Sequence, residues 1–132
     1  MNYYDLESSG SSLKGTIICG STPGYEGGQS FDLEQTLALF DDVNREIVDG
    51  GLAPIPCVVT EGTLIGRTDS ELYREGVYTF AFSWSSRVPA PSKDIFHQTL
   101  IQYADRLGNK MGQTRMYVEF EGNTAVLIKK KD

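Results

Sequence analysis

Hydrophobic and polar positions along the chain change period several times, and each change marks an element. Leu13 to Gly20 is a short β-branched apolar run closed by the glycine-rich stretch 20–28, the pattern of a buried strand. Leu33, Leu37, Phe40, Val43 and Ile47 then recur every three or four residues, which predicts a helix with one apolar stripe. Ser30 or Asp32 can cap it, Gln35 stands in capping-box spacing from Asp32, and Gly50-Gly51 supplies the stop. Residues 57–67 read as a second strand and 76–85 as a third. In the third, Tyr78, Phe80, Phe82 and Trp84 alternate with Val77, Thr79, Ala81 and Ser83, so the aromatic face is core. Ser92 caps a second helix with the stripe Phe96, Leu100, Tyr103 and Leu107, ended by Gly108. Residues 114–121 and 124–129 alternate as strands around a Gly122-Asn123 turn.

The order β-α-β-β-α-β-β resembles the ferredoxin-like split βαβ arrangement over residues 13–128, with one extra terminal strand. That resemblance implies an α+β fold whose antiparallel sheet carries both helices on one face, with the first and third strands central. It carries no activity, because this superfold hosts unrelated functions. Residues 1–12, rich in Ser and Gly towards their end, read as a flexible tail before a single α+β domain at 13–132.

Composition narrows the class. The 132 residues carry a formal charge of −6, divided as −8 over residues 1–66 and +2 over 67–132. A negative field disfavours general nucleic-acid binding. No apolar run is long enough to span a bilayer and the first residues lack a signal-peptide pattern, so the expectation is a cytoplasmic protein without a membrane role. Cys19 and Cys57 lie in apolar runs, without zinc-ligand spacing, and read as buried, inert thiols. No cofactor or metal is expected.

Chain direction then gathers chemistry at one end. If the first strand runs upward, the upper end collects the glycine loop, the start of the first helix, Arg67 and Arg74, Lys110 and Arg115, and Lys129 to Lys131. Free helix N–H groups, a glycine loop and cations make an anion site. The expected ligand-binding set is Ser21, Thr22, Gly24, Tyr25, Gly27, Gly28, Arg67, Tyr73, Arg74 and Arg115, with the tyrosines as stacking surface. No Lys follows the loop glycines and no GxGxxG opens the helix, so the nucleotide-binding motifs are absent. Cys19 before a Gly/Ser loop suggests a cysteine phosphatase cradle, but position 25 is Tyr where that chemistry needs Arg.

The leading expectation is therefore a non-catalytic binding protein that holds a small phosphate- or carboxylate-bearing ligand. It is expected to be a homodimer through the open sheet face, for which Val59, Val77, Thr79, Ala81 and Tyr117 are candidates. A second reading is an acidic inhibitor or adaptor, of the kind viruses encode, docking on a protein partner through Asp41, Asp42, Glu46 and Asp49. A third is a small dimeric enzyme with His97, the only histidine, as proton shuttle.

Overall fold

Alternation of side chains and capping chemistry set the elements of this chain, whose computed structural model describes residues 3–6, 12–22, 30–84 and 91–130. The order is β1 (Leu13–Gly20), α1 (Leu33–Asp49), β2 (Cys57–Arg67), β3 (Leu72–Trp84), α2 (Lys93–Lys110), β4 (Arg115–Phe120) and β5 (Asn123–Ile128). The five strands form one sheet in the order β2-β3-β1-β4-β5. All its pairings are antiparallel. This is the ferredoxin-like order with β5 added beyond β4, and β1 sits at the centre. The predicted α+β fold is the observed one.

Asp32 caps α1 through a full capping box: its carboxylate accepts from the Gln35 amide and the Gln35 side chain accepts from the Asp32 amide. The buried stripe of α1 is Thr36, Phe40, Val43 and Ile47. Leu33 and Leu37, expected in that stripe, are exposed, and Thr36 enters it by returning its hydroxyl to the Asp32 carbonyl at 2.8 Å. In α2 the expected Phe96, Leu100, Tyr103 and Leu107 are all buried. Gly108 does not end α2, as the sequence suggests, but lets it press on β4: a Cβ there would lie 2.8 Å from Met116 Cγ.

Between helices and sheet, Phe40 lies 5.7 Å from Phe80 and 5.6 Å from Tyr103, centroid to centroid, and Phe82 lies 4.8 Å from Tyr103. Tyr103 brings a hydroxyl into this core, where it accepts from the Ile55 amide and donates to Asn44 Oδ1. Stacked and tilted rings at such spacings add about 0.5–1.5 kcal/mol per pair beyond their burial.

Two boundaries and one face assignment differ from expectation. β3 starts at Leu72, four residues before Gly76, because the β2–β3 ladder continues to Arg67↔Leu72, past the last β1 pair, Gly20↔Val77. The hairpin thus projects as a two-stranded arm above β1. The β4–β5 turn is Glu121-Gly122, one residue earlier than expected, with both residues at positive φ and Phe120 paired to Asn123. On the helix-free face, register puts Val58 beside Ala81, whereas Val59 pairs with Phe80 on the helix side, so Val59 does not belong to the open face.

Candidate functional site

At the upper end, where β1 finishes, the chain is tied into a rim. Ser21 N–H donates to the Gly76 carbonyl at 3.0 Å and Phe31 N–H to the Ser21 carbonyl at 2.8 Å. The Thr22 and Ser30 hydroxyls meet at 2.8 Å, closing the neck of the glycine loop. Gln113, in the α2–β4 turn, donates to the Thr22 carbonyl at 2.9 Å and joins the far side of the sheet to this neck.

Inside the rim a carboxylate faces a tyrosine. Glu61 on β2 and Tyr78 on β3 are register partners on the helix-covered face. The Tyr78 hydroxyl lies 2.9 Å from both Glu61 Oε2 and the Phe31 carbonyl. Tyr78 is buried while Glu61 is exposed. Burial, first, and the neighbouring Glu61 carboxylate push the Tyr78 hydroxyl above its ordinary range, against a smaller opposing effect of the Thr36 hydroxyl. The phenol therefore stays a proton donor to an exposed carboxylate at the start of α1. Such a pair can hold a cationic group, and the carboxylate can accept a proton.

The structure brings only some expected ligand residues to this place. Ser21 and Thr22 form the neck. By strand alternation Arg67 and Arg74 project from the arm on the same face as Glu61 and Tyr78, so the predicted chain direction holds for them. Tyr73 lies on the opposite face, where its ring covers Gly66. Arg115 also points to the helix-free face, since Met116 beside it is buried. Neither shares a site with Arg74. Gly24, Tyr25, Gly27 and Gly28 lie outside the described residues.

The other candidates resolve differently. His97 is far down α2, stacked on Phe120 at 5.2 Å and close to the lower end, away from Glu61. Cys19 is buried, with Sγ 3.8 Å from Met111 Sδ, and burial pushes its thiol up to about 12, the reverse of an activated nucleophile. Cys57 is only half-buried, unlike the expectation, and its thiol is likewise pushed up to about 12 by desolvation. Asp41 and Asp42 share Arg45, at 2.9 and 3.9 Å, and Glu46 lies 3.6 Å from Lys110, so much of the acidic helix face meets cations of this chain, while Asp49 is exposed beside it. Among the described residues no group of three His, Cys, Asp or Glu side chains could hold a metal, and no helix is long and apolar enough to cross a membrane.

Two concavities flank α2. The larger, about 610 Å³, lies between the end of α2, the start of β4 and the end of β5. A groove of about 560 Å³ runs between α2 and the end of α1, beside His97, and Arg106 borders both.

No family model matches the chain, and no curated protein matches it. Solved structures do. The fold is that of two phage SAM lyases. One, in complex with S-methyl-5′-thioadenosine, superposes with a TM-score of 0.63 at 15% identity, over 96% of this chain and 97% of that one. The other, in the apo state, gives 0.65 at 13% identity over 98% and 99%. Likeness from end to end, with no large insertion on either side, runs against the expectation of a non-catalytic binding protein or adaptor, because these two solved neighbours are lyases. That expectation is withdrawn. Sequence reasoning overlooked Glu61 and Tyr78 as a pair. The signal available was parity: Cys57, Val59 and Glu61 occupy one face of β2, so an acid stood at an inward position of an alternating strand.

Proposed function

We propose that this protein is an enzyme of the SAM lyase kind, which breaks a carbon–sulfur bond at the sulfonium of S-adenosylmethionine and releases S-methyl-5′-thioadenosine. The end-to-end likeness to a lyase holding that thioether carries the reading. In the step, the sulfur keeps the electron pair of the broken bond and becomes a neutral thioether. A lyase uses no water, so the four-carbon fragment is completed from within the substrate. Either its own carboxylate oxygen closes a lactone, or a C–H bond gives up its proton to the Glu61 carboxylate, its electron pair forms the alkene and the sulfur leaves with the pair of the C–S bond.

The upper rim supports this chemistry. The Glu61 carboxylate, oriented by the Tyr78 hydroxyl, faces the sulfonium, and Arg67 and Arg74 on the same face receive the substrate's carboxylate. Ser21, Thr22 and Ser30 border the place for the nucleoside. The deciding experiment incubates purified protein with S-adenosylmethionine and separates the products chromatographically. Release of S-methyl-5′-thioadenosine above the spontaneous rate is expected, and the partner fragment, lactone or alkene, identifies the route. No release at millimolar substrate overturns the reading.

Self-association through the helix-free face, as a homodimer, belongs to the same proposal. Val58, Leu64, Tyr73, Tyr117, Val126 and Ile128 all lie on that face by register, each between 43% and 66% exposed. Such an apolar surface favours a second copy over water.

A further inference from the structure

We propose that the cleft between the end of α2 and the β4–β5 edge is a second binding site, distinct from the Glu61–Tyr78 rim, for a phosphate-bearing ligand of mononucleotide size. Its charge stands against the molecular average. Arg106, Lys110, Lys129 and Lys130 line it opposite only Glu46 and Asp105, an excess of two positive charges on a chain of net −6. Those cations are scarcely used within the fold. Arg106 Nε is buried with no hydrogen-bond partner, and among the described residues neither the Arg106 guanidinium nor the Lys129 and Lys130 amines form an ion pair. Lys110 has one, with Glu46 at 3.6 Å.

An unsatisfied buried donor costs about 1–3 kcal/mol, so a shift of the Arg106 side chain, which borders both concavities, towards an acceptor in the cleft is favoured. A guanidinium flanked by lysines matches a doubly charged phosphate, the fork supplying direction and the amines charge. The floor is of another kind. Ala104, Gly108, Met116 and Leu127 present an apolar base, and Met116 is 97% buried against α2. A cavity of about 610 Å³ with cations among its lining and apolar residues at its base has room for a base and its sugar below and the phosphate above.

The test is isothermal titration calorimetry of the full chain with AMP, adenosine and inorganic phosphate, at about 50 and 200 mM salt. AMP is expected to bind at least 10-fold more tightly than either adenosine or phosphate, and more weakly at the higher salt. Arg106→Gln is expected to weaken AMP at least 10-fold. The surface pair Lys129→Gln with Lys130→Gln, which leaves the packed elements alone, is expected to weaken it about 3-fold or more. Glu61→Gln is expected to leave AMP affinity unchanged. Adenosine binding as tightly as AMP, or insensitivity to both cleft variants, overturns the proposal. Phosphate binding as tightly as AMP removes the nucleoside from it, and loss of AMP binding in Glu61→Gln moves the ligand to the rim. The Arg106 and lysine variants read the cleft and Glu61→Gln reads the rim, so failure of this site and failure of the lyase reading are distinguishable.

Discussion

The Tyr78 hydroxyl lies 2.9 Å from Glu61 Oε2, across one rung of the β2–β3 ladder, and 2.9 Å from the carbonyl that precedes the cap of α1. One phenol thus ties the sheet at the base of the arm, the start of the first helix and the only carboxylate seen to meet a buried tyrosine among the described residues.

Activity should follow that contact. Glu61→Gln keeps the shape but removes the charge facing the sulfonium, and a loss of at least 10-fold in kcat/KM is expected. Tyr78→Phe, which frees the carboxylate, should cost several-fold. His97→Ala should stay within about two-fold of the parent, since the ring stacks on Phe120 at 5.2 Å in the lower half of the molecule. Steady-state rates of S-methyl-5′-thioadenosine release decide it, and a dead His97→Ala with an active Glu61→Gln would reverse the assignment.

Close approach of α2 to β1 depends on Gly15. A Cβ at that position would collide with Leu100 Cδ1 and lie 3.3 Å from the Glu119 carbonyl oxygen. Gly15→Ala is expected to destabilise by about 1–3 kcal/mol through overpacking. At Gly62, where nothing lies within 4 Å of a built Cβ, the same change should cost nothing or add a few tenths of a kcal/mol. Urea midpoints of the two variants make the comparison.

Alkaline pH should loosen the fold. Cys19 moves from an ordinary 9.0 to about 12 on burial, so between those values the folded chain holds a proton that the unfolded chain releases. Its contribution is complete below pH 9 and lost as pH rises through 12, at most about 4 kcal/mol. Tyr78 and Tyr103, both raised by burial, act with the same sign at the top of the range. Unfolding midpoints at pH 8, 9.5 and 11 should fall in that order, with a shallower decline in Cys19→Ala. A rise would contradict the burial of these groups.

The helix-free face predicts a mass. Light scattering should find the parent chain as a self-associated species, and Val58→Lys with Val126→Lys should return it to monomer without lowering its melting temperature. A monomeric parent at high micromolar concentration rules the face out as a self-contact.

Where periodicity was strong, the chain was legible. The 78–84 alternation, the α2 stripe and the Asp32–Gln35 spacing all specify packing that the structure keeps. Leu33 and Leu37 misled because the inward stripe of α1 runs through Thr36, Phe40, Val43 and Ile47, which leaves both leucines on its flank, and a threonine that bonds its own hydroxyl within the helix can take an inward place. Gly108 misled because a missing Cβ serves close packing as readily as a stop. The rim followed from chain direction, but face did not: Tyr73 and Arg74 are neighbours in sequence and therefore opposite in the sheet. Glu61 went unnoticed because a single carboxylate carries no motif, and its meaning comes only from the residue across the ladder.

β1, the earliest strand of the sheet in sequence, is also its middle strand, with β3 on one side and β4 on the other. Its rung Ile18↔Tyr117 joins positions about a hundred residues apart. The centre of the sheet therefore has no partners while the early part of the chain leaves the ribosome. One flank can close once β3 has been made and the other only after β4, so the central strand stays half-paired across the intervening helix, and truncation before β4 should leave it aggregation-prone.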